Sequence, residues 1–229
     1  MMKNFFMAGA MLLALSGQSW AVLVLNYSYS GATGNQGSTT AATVFANATA
    51  SVISRGPGLI PVATANSISS SGWATSATIV NTNDFYQFTF AANPGFQSTL
   101  NSLSFFHRVS SGTATATVRT STNNFASFTE QGTASLSTVS NTLRTVALTG
   151  LTDVVQTISF RIYGTSFATS VTTWRLENGT GANSFLGTQL DGTVTAVPEP
   201  SSIALFSLAG CVGLVTVYRR RKSNDAVAV

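Results

Sequence analysis

Few side chains of this 229-residue chain are of the types that perform catalysis. It contains one histidine, His107, and one cysteine, Cys211. Five carboxylates lie between residues 22 and 197: Asp84, Glu130, Asp153, Glu177 and Asp191. A Ser-His-Asp triad would have to use His107, and a glycosidase would need two of the carboxylates to converge on a sugar. No motif marks either arrangement, so the sequence predicts a protein that is not an enzyme.

Metal ligands are equally sparse. Zinc needs three or four clustered histidine, cysteine or carboxylate ligands, and the sequence has no such cluster. It therefore predicts no metal site and no cofactor. Structural calcium is kept as an alternative, because loop carbonyls could complete a site around one of four acids. These acids are Asp84, Asp153, Glu177 and Asp191.

Arginine is the residue that offers binding chemistry. In the strand patterns described below, Arg108, Arg161 and Arg175 fall on the solvent side, and Tyr163 accompanies them. If their strands are neighbours, these residues form one basic and aromatic face. Guanidinium groups pair with carboxylate or sulfate, and an aromatic ring stacks on a sugar. The favoured interpretation of these charges is that they keep a threonine-rich sheet soluble. The hypothesis weighed against it is that this face binds an acidic exopolysaccharide.

The elements that must position these residues are short β-strands. The chain has 30 serines, 33 threonines and 15 phenylalanines, and only 8% of its residues are charged. From Asp84 onward, apolar and polar residues alternate in runs bounded by turn residues, which is typical of half-buried strands. The predicted strands cover 85–90, 103–109, 113–120, 145–148, 157–163, 172–177 and 188–195.

The alternation also predicts which side chains face the core. They are Tyr86, Phe88, Phe90, Leu103, Phe105, His107, Val109, Ile158, Phe160, Ile162, Trp174 and Leu176. With no amphipathic helix and no internal repeat, the predicted fold class is all-β, a jelly-roll-like β-sandwich. Thr113, Thr115 and Thr117 share one face of a strand, so a flat ice-binding array is a further alternative.

The charges are concentrated at the ends of the chain. The whole sequence carries a formal charge of +4. Between residues 22 and 197, however, there are six arginines and five carboxylates, so the charges in this range nearly cancel. Nucleic-acid binding requires a clustered basic face within the domain, so no nucleic-acid partner is predicted.

The N-terminus has the pattern of a secretory signal peptide over residues 1–21. Lys3 precedes an apolar run over residues 5–15, and Ser19 and Ala21 supply the small residues of a cleavage site. The run is too short to span a bilayer. We expect export through the Sec translocon and cleavage by signal peptidase after Ala21.

The C-terminus has the pattern of a membrane anchor. Pro198, Glu199 and Pro200 precede a predicted transmembrane helix over residues 203–218. As a helix, residues 201–218 would span roughly 27 Å, which approaches the thickness of the hydrocarbon core. A basic cluster over residues 219–222 should stay on the cytoplasmic side, leaving 223–229 as a short cytoplasmic tail. Its members are Arg219, Arg220, Arg221 and Lys222.

This order of features, over residues 197–222, closely resembles the PEP-CTERM sorting signal of exported bacterial proteins. The resemblance implies recognition by exosortase, a membrane transpeptidase, with cleavage near Pro198–Pro200. The later part of the chain, from about Asp84 to Thr195, also resembles the β-sandwich ectodomains of such proteins. It shares with them an aromatic strand, a Leu-Ser-Phe strand, an Arg-Ile-Tyr-Gly strand and a Trp-Arg strand. These are Phe85–Phe90, Leu103–Phe105, Arg161–Gly164 and Trp174–Arg175.

Together these features predict an exported, non-catalytic protein of the cell envelope or extracellular matrix. It would be held in the inner membrane with residues 22–196 outside the cytoplasm, and then processed by exosortase. The first alternative is a carbohydrate-binding or adhesive module of the exopolysaccharide matrix. A secreted hydrolase and an ice-binding protein are less favoured.

Overall fold

A computed structural model describes residues 22–78, 80–139, 141–184 and 186–197. The predicted signal peptide with Ala21, the sorting signal from Pro198 to Lys222 and the tail therefore lie outside the described residues. Within these four ranges, no helix is long and apolar enough to cross a membrane.

The described chain folds into fifteen β-strands and one 3₁₀ turn at Gly181–Asn183. The strands are β1 Val22–Tyr27, β2 Ser38–Thr39, β3 Thr43–Val44, β4 Ala48–Ala50, β5 Ile53–Arg55, β6 Ile60–Pro61, β7 Ser67–Ser71, β8 Phe85–Ala92, β9 Phe96–Val109, β10 Ala114–Ser121, β11 Thr129–Leu136, β12 Thr142–Ala147, β13 Ile158–Thr165, β14 Trp174–Glu177 and β15 Thr188–Ala196.

The strands form two antiparallel sheets. The eight-stranded sheet has the order β3-β1-β15-β9-β14-β7-β6, with β12 also paired to β9. The seven-stranded sheet has the order β11-β10-β13-β8-β5-β2, with β4 paired to β8. Side chains from both sheets meet in one core cluster. The all-β, two-sheet architecture is confirmed, and the jelly-roll connectivity stays a prediction.

The long strand β9 organises the eight-stranded sheet. His107 pairs with Thr142 of β12 and with Leu176 of β14, so these two strands lie on opposite edges of β9. Strand β15 also lies opposite β12, because Ser104 pairs with both. Strands β14 and β15 therefore follow one another along the same edge of β9. The described residues between them, 178–184 and 186–187, leave that edge of β9.

The core is rich in aromatic rings, which bury much apolar area per residue. Trp73 and Trp174 have ring centroids 4.8 Å apart, and Phe88 stacks on Phe160 at the same distance. The Tyr86 hydroxyl donates a hydrogen bond of 2.9 Å to the Trp174 carbonyl. Every residue for which the alternation predicts a core position is buried, so the predicted inner faces are confirmed.

Phe106 and Tyr163 occupy outward positions in the alternation of their strands and are nevertheless buried. Phe106 points away from the core but lies beneath Gly179, where a Cβ added to the glycine would come within 2.8 Å of the Phe106 ring. Tyr163 is only 3% exposed, because Phe85 and Arg119 contact its ring. The prediction of a solvent-exposed Tyr163 is wrong. Alternation predicts the face of a sheet but not what covers that face.

Candidate functional site

The four residues predicted to form one ligand face lie in two different sheets. Arg108 is in β9 and Arg175 in β14 of the eight-stranded sheet, whereas Arg161 and Tyr163 are in β13 of the seven-stranded sheet. Outward side chains of two packed sheets point to opposite sides of a sandwich. The prediction of a single contiguous face is therefore wrong, and two separate arginine sites replace it.

The first site is a pair of arginines on the eight-stranded sheet. Arg108 and Arg175 are direct partners across β9 and β14, and like charges in this position destabilise a sheet. Arg108 is exposed and makes no hydrogen bond or ion pair with the residues that the structure describes. With Ser110 and Thr173, the pair lines a hollow of about 200 Å³. The unpaired guanidinium of Arg108 gives this hollow a positive charge that an anionic group could neutralise.

One carboxylate lies beside the arginine pair. Glu177, two residues along β14, accepts a hydrogen bond of 2.6 Å from Arg175 Nε through its Oε2. Its Oε1 accepts a hydrogen bond of 2.6 Å from the backbone N–H of Asn141. Since Glu177 is only 7% exposed, these two partners keep its charge compensated. The carboxylate compensates Arg175 and leaves Arg108 without a counter-charge.

A second hollow, of about 390 Å³, lies further along the same strand beyond Glu177. The loop that leaves β14 forms one of its walls. Asn178 anchors this loop: its Oδ1 accepts from the Tyr29 backbone N–H at 2.8 Å, and its Nδ2 donates to the Ser184 carbonyl at 2.7 Å. Gly179 lacks a Cβ, which allows the loop to lie directly on Phe106.

The other arginine site is on the outer face of the seven-stranded sheet. Arg119 and Arg161 are direct partners across β10 and β13, so this pair repeats the arrangement of the first. The Arg161 guanidinium lies 4.1 Å from the ring centroids of both Phe85 and Phe125. Its Nε donates a hydrogen bond of 2.9 Å to Gln87 Oε1.

Arg119 is held in a similar way. Its guanidinium lies 4.3 Å from the centroid of Phe128 and 5.2 Å from that of Tyr163. It also forms an ion pair of 3.1 Å with Glu130. Sequence reasoning missed Arg119, Phe125 and Phe128. The available signal was the Phe-Ala-Ser-Phe run just before β11. Both guanidinium groups of this face are therefore occupied by the protein itself.

His107 lies in the core, as predicted. It is 0% exposed, and neither ring nitrogen has a hydrogen-bond partner. Burial, with a smaller contribution from the positive charge of Arg144, lowers the pKa of His107 to about 4. A neutral imidazole without a nucleophile or carboxylate on its nitrogens does not have the arrangement of a catalytic triad.

The four candidate calcium ligands are not brought together. Within the described ranges, no group of three or more histidine, cysteine, aspartate or glutamate side chains is arranged to hold a metal ion. Asp84 is buried, which raises its pKa. Asp153 accepts from Gln97 Nε2 at 2.8 Å, and Asp191 accepts from Ser102 Oγ at 3.1 Å. Each carboxylate thus has its own separate environment.

The threonine array also differs from the expectation. Thr113 is exposed, Thr115 is half-buried and Thr117 is buried, since it lies opposite Tyr163 beneath the arginine and aromatic side chains. The three threonines therefore do not form the flat exposed surface that binding to ice would require.

Comparison with protein families gave no match, and comparison with curated proteins gave none either. Among solved structures, the chain is similar to a variant of a family 29 carbohydrate-binding module at 8% identity and a TM-score of 0.37, over 76% of this chain and 92% of that one. A second variant of that module, complexed with mannohexaose, matches at 11% identity and a TM-score of 0.35, with the same coverage.

The N-terminal cellulose-binding domain of a Cellulomonas fimi β-1,4-glucanase is similar at 12% identity and a TM-score of 0.29, over 67% of this chain and 90% of that one. TM-scores of this size do not establish shared function.

Proposed function

We propose that this protein is an exported, non-catalytic binding protein that holds an acidic polysaccharide on the outer face of its eight-stranded sheet. One observation carries the proposal: Arg108 lies exposed and without a counter-charge directly opposite Arg175, at the edge of a hollow of about 200 Å³. A carboxylate or sulfate between the two guanidinium groups would relieve their repulsion through charge-assisted hydrogen bonds.

The surroundings of the pair favour a sugar as the carrier of that anion. Ser110 and Thr173 place hydroxyl groups at the rim of the hollow, and hydroxyls both donate to and accept from sugar hydroxyls. A single shallow site of this kind binds weakly. A polymer that presents the same anion many times gains affinity through its repeated sites, which suits an extracellular polysaccharide.

The binding test uses the full chain, purified in detergent, and polygalacturonate as the probe. Arg108→Ala should lower affinity by about tenfold or more, because a hydrogen bond to a charged group contributes about 1.5–3 kcal/mol. Arg144→Ala removes an equal charge from β12 in the same sheet and is the matched control. Equal affinity for the Arg108 variant and the unmodified chain would contradict the proposal.

Export and sorting form the second part of the proposal, and their support is the sequence alone. Pro198, Glu199 and Pro200, the apolar stretch 203–218 and the basic cluster 219–222 occur in the order of an exosortase substrate. A signal peptide over residues 1–21 agrees with that topology. The mature protein would then begin at Val22 and reach the cell envelope or the extracellular matrix after processing.

Intact mass tests this second part. Protein recovered from the medium and the cell envelope should begin at Val22 and end between Pro198 and Pro200, and this form should disappear when the host's exosortase gene is deleted. A chain that keeps residues 203–229 in both strains would instead be a plain membrane-anchored protein. The binding proposal would be unaffected by that result.

A further inference from the structure

We propose that the 390 Å³ hollow beside Glu177 is a second subsite, which binds the neutral sugar adjacent to the acidic one in the same polysaccharide. The inference rests on the proposed function and makes it more specific, because it names the ligand class as a polysaccharide that alternates acidic and neutral residues. The volume lies within the range of about 300–1,000 Å³ found for small-molecule sites.

The chemistry of the lining suits a neutral polyol. Its side chains are mostly hydroxyls and amides, including Ser30, Asn66, Asn141, Thr180 and Ser184. Among the described residues that line the hollow, Glu177 is the only carboxylate, and its charge is compensated by Arg175. A lining of groups that donate and accept hydrogen bonds, without a free charge, matches the hydroxyls of an uncharged sugar.

Two amides of this lining have unused hydrogen-bonding capacity. The side chain of Asn141 forms no hydrogen bond with any described residue, since only its backbone N–H contacts Glu177. Asn66 accepts a hydrogen bond of 2.9 Å from the Gly31 N–H through its Oδ1, and its Nδ2 has no described partner. Both amides are therefore available to hydroxyl groups of a bound sugar.

The two hollows are linked along β14. Arg175 lines the first hollow and Glu177 the second, and their side chains contact each other at 2.6 Å. As residues i and i+2 of one strand, they lie about 7 Å apart on the same face. A polysaccharide laid along β14 with an anionic group between Arg108 and Arg175 would place its next residue over the second hollow.

The test uses two polymers and two matched variants of the full chain in detergent. Hyaluronan alternates acidic and neutral sugars, whereas polygalacturonate is acidic at every residue. Asn141→Gly removes the amide but keeps the left-handed backbone at φ 57°, which glycine adopts freely. Asn124→Gly is the control, because Asn124 has φ 56° and is exposed in the loop between β10 and β11, far from the hollow.

The expected result is tighter binding of hyaluronan than of polygalacturonate by the unmodified chain. Asn141→Gly should lower affinity for hyaluronan by about three- to tenfold, as expected for one lost hydrogen bond, and should leave polygalacturonate binding unchanged. Asn124→Gly should bind both polymers as the unmodified chain does. If Asn141→Gly lowered the affinity for both polymers equally, or for neither, the inference of a second subsite would be overturned. The proposed function would still stand if Arg108→Ala weakened binding. Failure to bind either polymer would overturn both.

Discussion

Two pairs of arginines occupy equivalent positions on the two outer faces of this sandwich and have opposite surroundings. In each pair the residues are direct partners across neighbouring antiparallel strands. On the seven-stranded sheet, Arg119 and Arg161 are stacked on four aromatic rings and paired with Glu130. On the eight-stranded sheet, Arg175 has one carboxylate and Arg108 has no partner among the described residues.

The difference shows how a sheet can manage opposed like charges. Directly opposed cations are unfavourable, and the first pair is stabilised from within by cation–π contacts and an ion pair. In the second pair only Arg175 has an ion pair, with Glu177, and Arg108 has neither a cation–π contact nor an ion pair with the described residues. Aromatic residues of β8, of β13 and of the loop before β11 hold one arginine pair in place. The other pair lacks such rings, which leaves Arg108 available to an external anion.

The largest predicted effect is a loss of stability at low pH that is caused by His107. His107 lies inside the sandwich, whereas its neighbour on β9, Arg108, lies outside. Burial lowers the folded-state pKa of His107 to about 4, against about 6.5 in an unfolded chain. The unfolded state therefore binds the proton first as the pH falls from 6.5 to 4. Over that window, His107 should remove about 3 kcal/mol of stability.

Urea unfolding at pH 7 and pH 4 measures this effect. His107→Leu, which cannot titrate, should lose about 3 kcal/mol less than the unmodified chain between these pH values. Asp84, whose pKa is raised by burial, acts in the opposite direction but is present in both proteins, so it cancels in the difference. An identical pH dependence for the two proteins would contradict the buried, neutral state of His107.

The next effect distinguishes the two arginine faces by stability. Arg161→Ala removes two cation–π contacts and a hydrogen bond to Gln87 and should lower the free energy of unfolding by about 2 kcal/mol. Arg108→Ala should change it by no more than about 0.5 kcal/mol. Calorimetric or urea unfolding would give both values. Equal losses of stability would contradict the claim that Arg161 stabilises the fold and Arg108 does not.

The inner faces of the main strands could be predicted from the sequence, because a core made of Phe88, Phe105, Phe160 and Trp174 enforces a strict period of two. Strand β11 escaped prediction. A register shift opposite Val118 and Arg119, beside Gly132, interrupts its alternation.

Strand β7 escaped prediction for a different reason. Its sequence at Ser67–Ser71 is serine except for Ile68, which packs in the apolar core. Its buried serines form hydrogen bonds. Ser70 Oγ accepts from Arg55 Nε at 2.7 Å and contacts the Tyr86 hydroxyl at 3.1 Å. A hydrophobic pattern cannot reveal a strand that is buried in this way.

The candidate site was predictable only in part. The outward direction of Arg108 and Arg175 follows from alternation. Alternation does not tell which sheet a strand joins, so it cannot separate Arg161 from these two residues. The second hollow depends on the loop after β14, which Asn178 anchors to Tyr29, 149 residues away in the chain. A contact between residues so far apart in the chain produces no local sequence pattern from which it could be predicted.

Residue-resolved arginine labelling tests the central claim most directly, because it compares both faces in one unmodified protein. Phenylglyoxal should modify Arg108 faster than Arg119 or Arg161, and mass spectrometry of peptides would give each rate. Added polygalacturonate should slow modification of Arg108 and Arg175 and leave Arg119 and Arg161 unchanged. Unaltered rates at Arg108 and Arg175, or protection confined to the seven-stranded face, would contradict the assignment of the polysaccharide to the eight-stranded sheet.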